Sequence, residues 1–144
     1  MALRRAEISD SKFYFILRNQ INTRKFSLNK KKIPYSKHQK WFLLNYKKKN
    51  NFFFVITHKT KNVGYLRLSK KKKFYDVSIC MKQQFRKLNI AYKSLINLKK
   101  HIKKNKTLRA KVDFNNISSI NLFTKSGFKI KLVDKTNLTM IKKI

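Results

Sequence analysis

A short apolar run at residues 77–81 leads through a cationic turn into a helical pattern that begins at Ile90. This order predicts a strand that feeds the N-terminus of a helix, and therefore an α/β unit. The first turn of a helix leaves backbone N–H groups without partners and carries a partial positive charge, so it attracts anions. The segment therefore predicts a site for a phosphate or pyrophosphate group.

The turn resembles the acetyl-CoA pyrophosphate loop of the GNAT superfamily of N-acetyltransferases. The family pattern is Arg or Gln, two residues, Gly, one residue, then Gly or Ala, and Arg86, Asn89 and Ala91 occupy those places. Asn89 replaces the family glycine, but asparagine tolerates the left-handed backbone that such a turn needs. Taken alone, this turn also fits a basic helix N-terminus that binds no ligand.

A second segment, residues 112–128, resembles the other GNAT signature, in which a strand, an Asn and a helix are followed by Lys-x-Gly-Phe. Asn116, Ser119, Phe123, Gly127 and Phe128 fall at the family spacing and in the family order. Gly127 follows an apolar helical stripe, where a left-handed residue commonly ends a helix. Together the two segments imply a GNAT N-acetyltransferase over nearly the whole chain.

The composition predicts one folded domain, spanning residues 1–144. Hydrophobic residues make up 42% and aromatic residues 13%, which is too apolar for a disordered polycation. The single cysteine, Cys80, excludes an internal disulfide and leaves no Cys/His cluster for a metal. No apolar run approaches the roughly 18 residues of a membrane span, and the first residues do not form a signal peptide. We therefore expect a cytoplasmic protein without a metal.

The charge of +33, from 38 Lys plus Arg against five acids, admits two interpretations. The lysines fall in short runs at residues 30–32, 47–49 and 70–73. This distribution favours a compositional drift that has enriched the solvent-exposed surface in lysine without a dedicated partner. A dedicated nucleic-acid patch is the alternative. Either reading predicts non-specific polyanion binding at low salt and attraction of anionic acetyl-CoA.

The pattern along the chain predicts about seven strands and about four helices. A first strand at residues 3–7 is followed by a helix capped by Ser9 or Asp10, and a second helix begins with Ser36 as its N-cap. Further strands are predicted at 51–58, 63–68, 74–81, 108–113, 128–133 and 138–141, with helices from Ile90 and after Asn116. With the resemblance, this implies the GNAT fold of the α/β (α+β) class, a mixed and largely antiparallel sheet flanked by helices.

The resemblance also implies where acetyl-CoA binds. The strand ending at residue 81 should separate from the strand at 108–113, and the pantetheine arm should enter the gap between them. Three groups of residues would then hold the cofactor: the backbone of Ile79, Cys80 and Met81; the turn formed by Arg86, Lys87, Leu88, Asn89, Ile90, Ala91 and Tyr92; and the side chains of Asn116, Ser119 and Phe123.

Amide formation needs a neutral amine, an oriented carbonyl and a proton for the departing thiolate. Asp76 lies where many relatives have a carboxylate, so it is the candidate base, with His38 as a second proton relay. Phe123 replaces the Tyr that many relatives use as general acid, which leaves Tyr92 or Tyr75 to donate the proton, or a thiolate that leaves as an anion. An ordinary surface Asp beside a lysine-rich turn remains an alternative for Asp76.

The first third of the chain resembles GNAT enzymes that acetylate amino sugars carried on nucleotides, as in pseudaminic-acid-type pathways. Six residues carry this resemblance: Arg18, Asn19, Arg24, Tyr35, His38 and Trp41. Arginines can clamp a diphosphate and an aromatic ring can stack on a sugar or base. Two other functions stay open, a protein N-terminal or ribosomal-protein acetyltransferase and a non-catalytic polyanion-binding module. The oligomeric state is also open, a homodimer being one alternative.

Overall fold

Apolar strands build an antiparallel meander in the first half of the structure, a computed structural model that describes all of residues 1–144. β1 (Ala2–Arg5) pairs with β2 (Phe52–His58), which pairs with β3 (Lys61–Lys70), which in turn pairs with β4 (Tyr75–Met81). The predicted meander is confirmed. Its strands differ from the prediction by one or two residues at most ends, the usual uncertainty of a boundary.

The second half of the chain completes a seven-stranded sheet in the order β1-β2-β3-β4-β5-β7-β6. β5 (Thr107–Asp113) lies between β4 and β7 (Asn137–Lys143), and β6 (Lys129–Val133) forms the far edge. Only the β4–β5 pair is parallel. The sheet is therefore mixed and largely antiparallel, as the sequence predicted.

Five α-helices cover the two faces of the sheet: α1 (Ser11–Arg18), α2 (Ile21–Arg24), α3 (Tyr35–Tyr46), α4 (Ile90–Asn97) and α5 (Ile117–Lys125). α4 and α5 contribute to a large buried cluster on one face, whereas α1 and α3 contribute to a smaller aromatic cluster on the other. The short α2 was not predicted. None of these helices has the length and apolar character needed to cross a bilayer.

In α1, Tyr14 and Leu17 are buried, whereas Ile16 is 53% exposed. One local expectation about the first helices is wrong. The N-cap of α3 is Pro34 rather than Ser36, and no side chain caps the helix. Pro34 has an extended backbone, so the helix begins directly after it and Ser36 already lies in the first turn.

The β4–β5 pair separates soon after it begins. The two strands are paired only at Tyr75 with Leu108 and at Asp76 with Arg109, although each strand has seven residues. From Val77 onward, the edge of β4 that faces β5 has no strand partner. The expected gap between these strands is therefore present, and it opens toward the turn that precedes α4.

Candidate active site

The turn between β4 and α4 has an unusual backbone. Lys87 and Asn89 both have positive φ, at 62° and 64°, and Asn89 is the left-handed N-cap of α4. The prediction that Asn89 would take the glycine conformation is confirmed. None of the backbone N–H groups of residues 87–92 donates a hydrogen bond to a protein acceptor. A row of free amides at a helix N-terminus fits an anion such as a pyrophosphate.

The unpaired edge of β4 is held in place by a close contact with β3. A Cβ atom added at Gly64 would lie 2.6 Å from the carbonyl oxygen of Cys80 and 2.6 Å from Sδ of Met81. Only glycine therefore lets β3 approach β4 at this point. The backbone of residues 79–81 is thus supported from β3 while its other edge stays open to the gap.

A cavity of about 1080 Å³ lies at this gap and is lined by residues from both faces of the sheet. Nearly all of the predicted cofactor residues line it: Ile79, Cys80, Met81, Arg86, Lys87, Asn89, Ile90, Ala91, Tyr92, Asn116, Ser119 and Phe123. Leu88 is the exception, because its side chain is 54% exposed and points to a smaller cavity beside Met1 and His58. The geometry therefore accommodates the predicted acetyl-CoA at the turn and along β4.

Side chains of α5 complete the cofactor half of the cavity. Asn116 caps α5 by accepting a hydrogen bond from the Ser119 backbone at 3.2 Å, so its Oδ1 atom is already engaged. Lys125 donates to Oδ1 of Asn89 at 2.9 Å, and its Nζ atom lies 4.5 Å from the centre of the Tyr92 ring. Lys125 thus ties α5 to the left-handed residue of the turn.

The cysteine in β4 is buried and behaves as a structural residue. Sγ of Cys80 lies 3.2 Å from Oγ1 of Thr23 and donates to the carbonyl of Leu17 at 3.7 Å. Burial raises the pKa of the Cys80 thiol, with smaller opposing effects from Thr23 and nearby arginines. A thiol that resists ionisation is a poor nucleophile, so Cys80 has no role in catalysis through its side chain.

The opposite half of the cavity is lined by three of the predicted acceptor residues, Arg18, His38 and Trp41. Nη2 of Arg18 donates to the carbonyl of Asn29 at 2.9 Å, whereas Nη1 is buried and has no acceptor. A buried donor of a charged group without a partner is costly, and such groups commonly meet a ligand, an ion or water. Arg18 therefore lines the cavity with a guanidinium that has one buried donor without a protein acceptor.

His38 is buried, with 3% of its surface exposed, and its Nε2 atom lies 2.9 Å from the carbonyl oxygen of Ser11. Because a carbonyl can only accept, Nε2 carries the proton of the neutral ring. Burial lowers the pKa of His38, the bond to Ser11 partly opposes this shift, and the positive charge of Arg18 adds to it. His38 is therefore neutral near pH 7, with a free electron pair on Nδ1.

The other three predicted acceptor residues do not line the cavity. The side-chain amide of Asn19 makes two hydrogen bonds, of 3.0 and 2.9 Å, with the backbone of Ile33, and Nε of Arg24 donates to the Asn19 carbonyl at 3.1 Å. Tyr35 is 46% exposed and packs its ring against Phe15. These residues hold the segment between α1 and α3, so their contribution to the acceptor half is indirect.

Asp76 also lies outside the cavity lining, because it is paired with Arg109. Its two carboxylate oxygens accept hydrogen bonds from Nε at 2.6 Å and from Nη2 at 3.0 Å. The Arg109 guanidinium also lies 3.9 Å from the centre of the Phe74 ring. Asp76 and Arg109 form the last paired position before β4 and β5 separate. Asp76 therefore joins β4 to β5 at the base of the gap, with both carboxylate oxygens bonded to Arg109.

Sequence reasoning missed several residues of the acceptor half. Arg67 lines the cavity, with its guanidinium 4.9 Å from the centre of the Trp41 ring, and Tyr65 stacks on Tyr14 at 4.2 Å. Burial raises the pKa of Tyr65, and the charges of Arg67 and Arg18 partly oppose this shift. A charged residue in the otherwise apolar middle of β3, at residues 63–68, was the one signal available for Arg67.

Comparison with known proteins agrees with this geometry. Residues 1–129 match the acetyltransferase (GNAT) domain family. This chain belongs to that family. Membership makes it an acetyl-CoA-dependent N-acetyltransferase of the GNAT type, and it confirms the family and cofactor that the two sequence motifs implied. No curated protein sequence matches the chain.

Solved GNAT structures share the fold at low sequence identity. A putative acetyltransferase from Salmonella typhimurium with acetyl-CoA has a TM-score of 0.80 and 15% identity over 99% of this chain and 93% of that one. Spermidine N-acetyltransferase from Vibrio cholerae with CoA and spermine has a TM-score of 0.78 and 13% identity, covering 98% and 94%. Ribosomal-protein-alanine N-acetyltransferase from Brucella melitensis has a TM-score of 0.77 and 19% identity, covering 100% of both chains.

Proposed function

We propose that the GNAT domain acetylates a primary amine whose carrier bears a negatively charged group, and that a nucleotide-linked amino sugar is the acceptor. The observation that carries this proposal is the Arg18 guanidinium: Arg18 lines the cavity, and its buried Nη1 atom has no protein acceptor. Arg67 and Lys37 add two further positive charges to the same cavity. Guanidinium groups bind phosphate and carboxylate oxygens in pairs, so a diphosphate matches this arrangement.

The same charges disfavour a polycationic acceptor. The spermidine acetyltransferase of similar fold was solved with spermine, a polycation whose charges are stabilised by carboxylates. The cavity of this chain has one carboxylate in its lining, that of Asp113 at the end of β5. The net charge of +33 would repel a polyamine further. The scarcity of carboxylates in the cavity and the positive charge of the whole chain therefore both favour an acceptor that carries its own negative charge.

The proposed reaction is direct attack of the amine on the thioester carbonyl, in which a C–N bond forms and the C–S bond breaks. Acetyl-CoA supplies the acetyl group and the thiolate leaving group. Backbone groups on the open edge of β4, at Ile79 to Met81, orient the carbonyl. The free Nδ1 of neutral His38 accepts the amine proton, and the hydroxyl of Tyr92 returns a proton to the thiolate because Phe123 has none to give.

An acceptor panel tests the proposal. Thiol release from acetyl-CoA would be measured with a UDP-linked 4-amino sugar, spermidine and a peptide with a free N-terminus as acceptors. We expect kcat/KM to be highest for the nucleotide sugar. Preference for spermidine, or for the peptide, would overturn the acceptor assignment while leaving the acetyltransferase assignment intact.

Substitution of single arginines tests which side chains bind the acceptor. Arg18→Gln and Arg67→Gln should each raise the acceptor KM by about tenfold or more, because a charge-assisted hydrogen bond is worth roughly 1.5–3 kcal/mol. The Kd of acetyl-CoA, measured by calorimetry, should stay within about twofold. Arg24→Gln is the matched control, since its side chain lies off the cavity and should raise KM much less than the other two changes. Equal effects of all three variants would contradict the assignment.

A further inference from the structure

Five strand ends with lysine-rich connections meet at one end of the sheet. The start of β2 pairs with the end of β3, Lys70 pairs with Tyr75, and Tyr75 pairs with Leu108, while Thr107 pairs with Lys143. Two hydrogen bonds join these segments. The backbone N–H of Lys70 donates to Oδ1 of Asn51, and the backbone N–H of Asn105 donates to the Ile144 carbonyl. This end, called the lysine end below, comprises residues 47–51, 70–74, 98–107 and 142–144.

The lysine end is almost uniformly basic. Its exposed lysines are Lys47, Lys48, Lys49, Lys71, Lys72, Lys73, Lys99, Lys100, Lys103, Lys104 and Lys143. No acidic residue lies in these four segments. The nearest acid in β4, Asp76, is neutralised by Arg109, and Glu7 follows β1 at the edge of the sheet. Beyond the effect of burial, Lys99 lowers the pKa of Lys142, so like charges at this end repel one another.

The opposite end of the sheet carries acidic as well as basic residues. Its turns carry Lys59, Lys82, Arg86, Lys87 and Lys135, together with Asp113 and Asp134. That end holds the turn before α4 and therefore the cofactor site. None of the exposed lysines of the lysine end lines the large cavity. Acetyl transfer therefore gives no reason for the concentration of charge at the lysine end.

We propose that the lysine end binds the phosphate backbone of a nucleic acid without sequence specificity, while the opposite end carries out acetyl transfer. Adjacent strands lie about 4.8 Å apart, so the loops from β2 to β7 extend over roughly 20 Å. A duplex presents one charge per about 1.7 Å of axis, so several phosphates can face these lysines at once. Flexible lysines suit such contacts, which position a backbone rather than read bases.

The exposed side chains favour a nucleic acid over an anionic membrane. Membrane-surface segments combine basic residues with large apolar residues that enter the lipid. None of the exposed large hydrophobic residues of the chain lies in the four segments of the lysine end. The surface therefore offers charge without an apolar anchor, which matches a soluble polyanion.

The test uses a charge-matched pair of variants. The triple variant K71Q/K72Q/K73Q removes three lysines from the lysine end, and K30Q/K31Q/K32Q removes three exposed lysines from the segment before α3, near the cavity. Binding of a fluorescein-labelled 20-base-pair DNA and a 20-nucleotide RNA would be followed by anisotropy from 50 to 300 mM salt. Calorimetry with acetyl-CoA checks that both variants are folded and keep the cofactor site.

We expect saturable binding of the wild type at 150 mM salt. K71Q/K72Q/K73Q should weaken it at least tenfold and reduce the slope of log K against log salt by about 2–3, since each phosphate contact contributes about 0.9 on duplex DNA and about 0.7 on a single strand. K30Q/K31Q/K32Q should change the affinity less than threefold, and neither variant should alter the Kd of acetyl-CoA. Equal losses in both variants, no binding at 150 mM salt, or tighter binding to phosphatidylserine vesicles than to either nucleic acid would overturn the proposal.

Discussion

The two halves of the large cavity are built from different parts of the chain. The cofactor half consists mainly of backbone, namely the free amides of residues 87–92 and the open edge of β4. The acceptor half consists of side chains from three separate elements, chiefly Arg18, His38, Trp41 and Arg67. Backbone atoms are the same whatever the residue, so the cofactor half tolerates sequence change, whereas the acceptor half depends on each side chain.

This difference explains how the domain can depart from its family pattern and keep the cofactor site. Asn89 replaces a glycine of the usual turn, yet its φ of 64° leaves the amides exposed. Phe123 cannot supply a proton, yet it still packs against Phe128 with ring centres 5.0 Å apart and closes the cavity wall. Changes that move the backbone should therefore harm the cofactor half more than changes of side-chain chemistry.

The largest expected loss of acetyl-CoA binding comes from a substitution at Gly64. Gly64→Ala would place a methyl group 2.6 Å from the Cys80 carbonyl oxygen, so β4 would have to shift at the site of acetyl binding. Overpacking of this kind costs about 1–3 kcal/mol of unfolding free energy, and we expect acetyl-CoA binding to weaken more than tenfold. Urea unfolding and calorimetry measure the two quantities.

Gly127→Ala is the control for Gly64→Ala. Gly127 has a φ of 93°, but an added Cβ would meet only the flexible Lys142 side chain, at 3.4 Å. It should destabilise the domain by about 1–2 kcal/mol, the usual cost of a left-handed residue, and leave acetyl-CoA affinity unchanged. If both variants lost the cofactor to the same extent, weaker binding would reflect stability rather than the β3–β4 contact.

The second prediction concerns the left-handed residue of the turn. Asn89→Val should weaken acetyl-CoA binding by about tenfold, because a β-branched residue at positive φ costs roughly 1–2 kcal/mol and would rotate the free amides. Asn89→Gly should bind at least as well as the wild type. Calorimetric titration compares the three proteins, and a normal affinity for Asn89→Val would show that the turn does not need this conformation.

Local patterns let the sequence predict most of the cofactor half and the fold. The left-handed Asn89, the positive φ of Gly127 and the strand–turn–helix order each depend on residues within a few positions of one another, and all three are confirmed. The separation of β4 from β5 followed from the family resemblance and is also confirmed. Propensity and spacing are sufficient where neighbours in sequence determine the geometry.

The acceptor half was predicted only in part, because its geometry depends on partners that are distant in the sequence. Asn19 was expected to touch the acceptor, but its amide is used by Ile33, fourteen residues away. Asp76 was the candidate base, but its carboxylate is paired with Arg109, which lies on a strand that only the parallel pairing brings beside it. No periodicity in one sequence reveals such pairs, because they depend on how whole elements pack.

The third prediction separates the two roles of Asp76. If the Asp76–Arg109 ion pair fastens the base of the gap, Asp76→Asn and Arg109→Gln should each lower the unfolding free energy by about 1 kcal/mol and reduce turnover no more than a few-fold. If Asp76 were the general base, Asp76→Asn would abolish turnover, whereas Arg109→Gln would free the carboxylate and preserve it. Steady-state kinetics with the same acceptor distinguish these outcomes.

The smallest expected effect is the contribution of His38, a residue of the acceptor half, to the pH dependence of folding stability. The pKa of His38 is below its ordinary value of 6.5 in the folded protein, mainly because the ring is buried. As the pH falls through that value, the unfolded chain takes up a proton before the folded protein does, so folding stability is present above about pH 6.5 and is lost on acidification. Urea unfolding at pH 7, 6 and 5 should therefore show a decline that is smaller in His38→Gln.

His101→Gln is the control for the pH experiment, because this histidine is exposed. It should retain the wild-type decline in stability. The same acidification should reduce kcat/KM, since a protonated Nδ1 can no longer accept the proton of the amine. If His38→Gln keeps the full decline in stability, another group titrates. If kcat/KM follows the wild-type profile in that variant, His38 does not relay the proton and the acceptor half works through its arginines alone.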